Sequence, residues 1–184
     1  MGIESGRYQG GEKMDIVVEN VVAFANAEGA FDDPEKIAKN LGVEYRKAFP
    51  GVIYEPKEGD MASIIFRNGT IVCSGARSVE EAARFIKSVV EKAGLELKGD
   101  IKVKNMVLSY DIGKRLVLED IVPRLESGTV TPPREDFPAI IYRPSSPPVT
   151  MLIFPSGKVV LTGVKKIEEA EKALDILIRE IGVQ

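Results

Sequence analysis

Phe137-Pro138-Ala139-Ile140-Ile141-Tyr142-Arg143-Pro144, followed by Leu152-Ile153-Phe154-Pro155-Ser156-Gly157-Lys158-Val159-Val160-Leu161-Thr162-Gly163, repeats a text that stands 88 residues earlier. There it reads Phe49-Pro50-Gly51-Val52-Ile53-Tyr54-Glu55-Pro56, then Ile64-Ile65-Phe66-Arg67-Asn68-Gly69-Thr70-Ile71-Val72-Cys73-Ser74-Gly75. At that offset Phe49 matches Phe137, Tyr54 matches Tyr142, Phe66 matches Phe154, Gly69 matches Gly157, and Glu80-Glu81-Ala82 matches Glu168-Glu169-Ala170. The chain is an internal duplication, and its function is to be sought in what two copies do together.

Outward from these stretches, each copy reads as the same series of elements. A first strand over about Asp15 to Ala25 is mirrored by Asp100 to Ser109, with Asn20 and Asn105 in matching places. Asp33-Pro34-Glu35 supplies a helix cap with proline at the first helical position, and Gly42 closes that short helix. Its counterpart, Leu118 to Leu125, contains Pro123 and is expected to be shorter or broken. Strands follow at Phe49 to Glu55, Ala62 to Phe66 and Thr70 to Ser74, with Arg67-Asn68-Gly69 and Pro155-Ser156-Gly157 as hairpin turns. Ser78-Val79-Glu80-Glu81 is a capping box, and Ala82, Ile86, Val89, Val90 and Ala93 recur at helical spacing up to Gly94. Ile167, Ala170, Leu174, Leu177, Ile178 and Ile181 repeat that pattern up to Gly182. The fold class is α+β: two tandem repeats, residues 14–97 and 98–184, each an antiparallel sheet with its helices on one side. Residues 1–13, rich in glycine, read as a flexible tail.

The totals remove several classes of function. With 184 residues, 44% hydrophobic and 29% charged, the chain buries a sizeable core, and no run of about 18 apolar residues marks a membrane span or a secretory leader. A soluble intracellular protein is expected. One cysteine, Cys73, excludes an intramolecular disulfide, and zero histidines remove the commonest metal ligand and general base. No nucleophile, base, metal cluster or Gly-rich phosphate loop is in evidence, so neither an enzyme nor a bound cofactor or metal is expected. The net charge of -3 argues against generic nucleic-acid binding. From Asp100 onward 12 basic residues meet 12 acidic ones, so of the totals of 25 and 28 the whole excess of acid falls in residues 1–99.

Alternation along Thr70-Ile71-Val72-Cys73-Ser74 sends Ile71 and Cys73 one way and Val72 the other. If Ile71, Cys73, Val159 and Leu161 pack on the helices, then Val72, Val160, Ile64, Leu152, Phe66 and Phe154 share the open face. Such a face is ordinarily polar, and an apolar one present twice marks a binding surface. Phe49 with Phe66, and Phe137 with Phe154, suit insertion between base steps; by spacing alone they equally suit a core or a homodimer interface.

These residues resemble the TATA-binding protein family in its compact archaeal form. The resemblance covers about Asp15 to Val183 and rests on Phe-Pro-x-x-Ile-Tyr, Ile-Phe-x-x-Gly-x-x-Val-x-[Ser/Thr]-Gly and the first-strand asparagine, each present in both copies. It implies a saddle with a curved antiparallel sheet of about ten strands and helices on the convex side. It also implies a transcription initiation factor that binds and bends TATA-box DNA through the minor groove and recruits transcription factor B and RNA polymerase. The resemblance, not the spacing, supplies the kinked geometry. Carried over position by position, it makes Phe49, Phe66, Phe137 and Phe154 the intercalating side chains. Asn20, Val22, Val72, Ser74, Asn105, Val107, Leu152, Val160 and Thr162 become the minor-groove contacts, Arg77, Arg143, Lys158 and Lys165 the phosphate contacts, and Glu135 a docking residue for factor B.

The first copy departs from the pattern. Glu55 stands where the second copy has Arg143, and Thr70 where it has Lys158, which weakens the phosphate contribution and flattens its salt dependence. Phe24, matched by Ser109, is either an added apolar contact or a steric block. Asp136 and Pro133 also depart from the family. The rival reading is a paralogue with an impaired saddle that serves as a protein-interaction or regulatory module, its open face covered by a partner or, off DNA, by a second copy of the chain. A domain appended to a nucleic-acid enzyme is a third class. The resemblance places the protein in the cytoplasm of an archaeon, associated with the nucleoid.

Overall fold

The computed structural model describes residues 8–9, 12–29 and 33–183. Of the stretch expected to be a tail, residues 1–7, 10 and 11 lie outside the described residues, and β1 (Tyr8–Gln9) pairs antiparallel with β2 (Glu12–Lys13). The chain divides into two compact units, Asn20–Asn105 and Met106–Gln184 with residues up to Glu19. The divisions fall inside two long strands, β3 (Val17–Glu28) and β7 (Glu96–Asp111), each of which contributes to both units.

In the first unit α1 (Pro34–Leu41) starts where Asp33 Oδ1 accepts the Lys36 amide at 2.9 Å and ends on Gly42 in the left-handed conformation. Three strands follow, β4 (Gly51–Tyr54), β5 (Ala62–Phe66) and β6 (Thr70–Ala76), and the antiparallel order is β4-β5-β6-β3. The long helix α2 (Val79–Ala93) starts at Ser78, whose hydroxyl accepts the Glu81 amide at 3.0 Å, while the Glu81 carboxylate reaches back to the Arg77 amide at 2.6 Å. Its Ala82, Phe85, Ile86, Val89, Val90 and Ala93 are buried, as the helical spacing requires. Val21, Ala23, Ala25, Ile65, Ile71 and Cys73 supply the sheet side of the same core. Burial pushes the Cys73 thiol up to about 11, so it is an inert core group.

The second unit repeats the plan with one addition. The helix expected at Leu118 to Leu125 is broken as the proline requires: α3 (Leu118–Ile121) gives way to a 3-10 turn at Val122–Arg124. Then come β8 (Gly128–Thr131), β9 (Ile140–Pro144), β10 (Thr150–Ile153), β11 (Lys158–Val164) and α4 (Ile167–Ile181), in the order β7-β11-β10-β9-β8. Strand β8 lengthens the outer edge beyond β9, whereas in the first unit residues 43–46 have no regular secondary structure and residues 47–50 make turns. Among the described residues, and apart from the β1–β2 pair, the two units hold nine strands, β3 to β11, where about ten were expected. The strand expected from Phe49 begins only at Gly51, and Phe49 sits in a turn closed by its amide on the Arg46 carbonyl at 2.9 Å. No helix among the described residues is long and apolar enough to cross a membrane.

Equivalent core positions have acquired different partners. Tyr142 is fully buried and donates its hydroxyl to Glu180 Oε2 at 2.8 Å, while Glu180 Oε1 accepts the Ser127 amide at 2.8 Å. Tyr54 stacks on Phe85 with ring centroids 6.2 Å apart, and its hydroxyl meets Lys92 Nζ at 3.2 Å. Burial pushes Tyr142 up to about 12, with the Glu180 carboxylate adding to the shift. Burial also tends to raise Glu180, but the hydrogen bonds from Ser127 and Tyr142 outweigh it and hold the carboxyl below its ordinary 4.5.

Two stability predictions follow from these cores. A carboxyl whose folded pKa is depressed stabilises the fold fully above its unfolded value and loses that contribution as pH falls through the folded one. Glu180→Gln is therefore expected to lower Tm at pH 7, with the gap to the parent closing as pH drops below about 4.5, in thermal melts across pH 3 to 7. In the first unit Ser63 is 1% exposed between Tyr54 and Cys73 and its Oγ has no hydrogen-bond partner; the second copy places the fully buried Met151 there. Ser63→Ala is expected to stabilise by about 1 kcal/mol, raising Tm by about 2–4 °C, because it removes a desolvated hydroxyl.

Candidate nucleic-acid interface

The strand registers assemble two rows on the sheet faces that the helices leave uncovered. In the first unit Ile53 faces Ile64, Ile64 faces Val72, and Val72 faces Phe24. In the second Ile141 faces Leu152, Leu152 faces Val160, and Val160 faces Ser109. Every member except the buried Ser109 is half-buried, while the alternate residues Ile65, Ile71, Cys73, Ile153, Val159 and Leu161 are buried against the helices. Val22 and Val107, on β3 and β7, are half-buried as well. Each unit thus presents an apolar strip where water would ordinarily be met by polar side chains.

A phenylalanine pair stands at the outer end of each strip. The rings of Phe49 and Phe66 lie 6.5 Å apart at 37°, and those of Phe137 and Phe154 lie 6.3 Å apart at 63°. All four are half-buried, so neither pair is a core cluster. The hairpin turns hold Phe66 and Phe154. Gly69 and Gly157 donate their amides to the carbonyls of Phe66 and Phe154, each at 3.0 Å. Gly157 has φ +93°, and a Cβ there would lie 2.1 Å from the Lys114 carbonyl oxygen, so only glycine closes that turn.

Polar groups sit among these apolar rows. Asn20 Oδ1 accepts the Gly75 amide at 2.7 Å. With its carbonyl end used on the backbone, the amide presents its NH2 as the end for an outside acceptor. Asn105 is half-buried on β7, and Ser74 and Thr162 are half-buried across from Ala62 and Thr150.

Two of the four expected phosphate cations have a carboxylate beside them. Arg77 lies 4.0 Å from Asp60, and Lys158 lies 4.0 Å from Glu19. Arg143 and Lys165 are exposed, Arg143 opposite Thr129 on β8. On the first unit the position of Lys158 holds Thr70, whose hydroxyl meets Asn26 at 3.4 Å, and Glu55 is exposed beside a cavity of about 250 Å³ shared with Phe49 and Ile53. Glu135 is exposed in a turn closed by reciprocal backbone hydrogen bonds between Arg134 and Phe137 at 3.0 and 3.1 Å, with Arg134 paired to Asp136 at 3.2 Å. It borders a shallow cavity of about 480 Å³ with Leu116, Val117 and Pro133.

The profile of the family described as "Transcription factor TFIID (or TATA-binding protein, TBP)" matches residues 15–92 and again residues 100–182. The chain belongs to the TATA-binding protein family. Among its relatives, the TATA-box-binding protein of Methanothermobacter thermautotrophicus is 38% identical over 169 residues, covering 88% of this chain and 92% of its own. That of Archaeoglobus fulgidus is 38% identical over 173 residues, covering 90% and 94%. The solved structure of the Methanococcus jannaschii TATA-binding protein superposes with a TM-score of 0.77 at 36% identity, over 91% of this chain and 98% of that one. The fold and the duplication expected from the sequence are those of this family. Ile53 and Ile141 escaped notice as members of the strips, although alternation along Gly51-Val52-Ile53-Tyr54 points to them. Glu19 and Asp60 escaped too; the signal for Glu19 is that the second copy has Lys104 at its position.

Proposed function

We propose that this chain is a general transcription initiation factor that binds A·T-rich promoter DNA in the minor groove, bends it, and recruits transcription factor B and through it RNA polymerase. The observation that carries the reading is the pair of half-exposed apolar strips, each ended by a phenylalanine pair, on a chain of the TATA-binding family. Covering those strips supplies the binding free energy, at roughly 25 cal/mol per Å² of apolar area buried. Phe49 with Phe66 and Phe137 with Phe154 act as wedges between base steps. The NH2 of Asn20 donates to adenine N3 or thymine O2, and Asn105 is assigned the same role in the other repeat. A guanine 2-amino group would set donor against donor there, so A·T pairs are preferred. Val22, Val72, Val107, Leu152 and Val160 line the floor, Ser74 and Thr162 supply hydroxyl contacts, and Arg77, Arg143, Lys158 and Lys165 meet phosphates. Glu135 contributes to the docking of factor B. The work is done in the cytoplasm, at the nucleoid of an archaeal cell.

A second reading, a protein-interaction module with an impaired DNA face, draws on Glu55 and Thr70 and on the carboxylates beside Arg77 and Lys158. A titration of labelled duplexes, TATA-like against G·C-rich, with a bend-sensitive energy-transfer readout at two salt concentrations decides between the two. Tight bent binding confined to the TATA-like duplex is expected, and the Phe137→Ala, Phe154→Ala double variant is expected to abolish the bend. Bent complexes that survive that double substitution would remove the wedge role. Absence of binding at low salt, even with factor B present, would favour the second reading.

A further inference from the structure

A link of three polar side chains crosses neighbouring strands β3, β7 and β11 in the second unit. Ser109 donates its hydroxyl to Glu19 Oε1 at 2.6 Å, and the same oxygen lies 4.0 Å from Lys158 Nζ. Ser109 and Lys158 both stand on the open face: Ser109 faces Val160 in the strip, and Lys158 precedes the buried Val159. The Glu19 carboxylate therefore lies over the proposed DNA-binding surface, fixed by a buried hydroxyl and beside a cation. The first unit has no counterpart, because Phe24 replaces Ser109 and Thr70 replaces Lys158. Asp111, across the ladder from Lys158, is the other acid facing this cation.

A contact of this kind contributes little to folding. The Glu19 and Lys158 side chains are 39% and 54% exposed, and a pair 4.0 Å apart in water is worth close to nothing in stability. Its effect falls on binding. A phosphate that takes Lys158 must displace Glu19 from it and then lie close to an uncovered carboxylate.

We propose that Glu19 is an intrachain stand-in for a DNA phosphate: it occupies Lys158 in the free protein, competes with the backbone for that cation, and so sets the affinity and the salt dependence of the second unit. The proposal rests on the DNA-binding reading and names how that surface is tuned. Glutamine keeps an acceptor for Ser109 and removes only the charge, so Glu19→Gln isolates the competition. In the parent the phosphate contact of Lys158 is offset by the carboxylate it uncovers, which takes up a cation of its own. Without that carboxylate net counterion release rises by one, and the slope of log K against log salt steepens by about 0.9.

The test is a double-variant cycle of Glu19→Gln and Lys158→Ala on the TATA-like duplex from low to high salt, with thermal melts of all four proteins. Glu19→Gln is expected to bind about tenfold more tightly at low salt with the steeper slope and an unchanged Tm. Lys158→Ala is expected to cancel that gain. Equal affinity and slope for Glu19→Gln and the parent, or a gain that persists without Lys158, overturns the proposal while leaving DNA binding intact. Absence of binding to either duplex by all four proteins overturns the DNA-binding reading and the proposal with it.

Discussion

A sheet has two faces, and the helices of each unit can dry only one of them. Everything else in this protein is arranged around that limit. Strand side chains alternate, so the residues that bury Ile71, Cys73, Val159 and Leu161 under the helices commit Val72, Val160 and their neighbours to the opposite side. A chain under selection for solubility alone would make those positions polar. Here, apart from Ser109, they are isoleucine, leucine, valine or phenylalanine, which leaves an apolar face for a bound partner to cover. The phenylalanine pairs extend the same logic to the turns, where the amides of Gly69 and Gly157 fix the chain at Phe66 and Phe154.

Duplication kept the scaffold and relaxed the charges. Tyr54 and Tyr142 occupy the same place, yet one meets Lys92 and the other Glu180, residues that are themselves equivalent in the repeat. A hydroxyl both donates and accepts, so either charge at that helix position satisfies it. The open faces differ by the same freedom: Glu55 against Arg143, Thr70 against Lys158, Phe24 against Ser109. Exchanges at exposed or half-exposed positions cost the fold little, so these faces were free to diverge.

Local pattern makes much of this fold legible in the sequence. Period-two alternation separated Cys73 from Val72, the capping box at Ser78 placed α2, and Pro123 broke the helix that α3 begins. What was not legible depends on register or on reach. Nothing in Val43 to Pro50 announces that it forgoes the edge strand that Gly128–Thr131 makes in the other copy. The resemblance assigns Asn20 a contact role, whereas the tie of its carbonyl end to Gly75, 55 positions on, is a fact of tertiary structure. Strict alternation groups Glu19 with Val21 and Ala23, toward the helices. Its side chain is long enough to meet Ser109 and Lys158 instead, and no periodicity encodes that.

On the proposed DNA-binding function, the balance of forces at the interface follows from composition. A net charge of -3 leaves little general attraction for a polyanion, and two of the four expected phosphate cations already have acids at 4.0 Å. Coulombic attraction, long in range and indifferent to sequence, is therefore the lesser contribution. On that proposal, burial of the apolar strips and insertion of the rings depend on how willingly a given duplex opens its minor groove and unstacks. A protein that draws its affinity from those short-range interactions and holds its charges in check gives up grip on arbitrary DNA. It retains affinity for the few sites whose deformation is cheap.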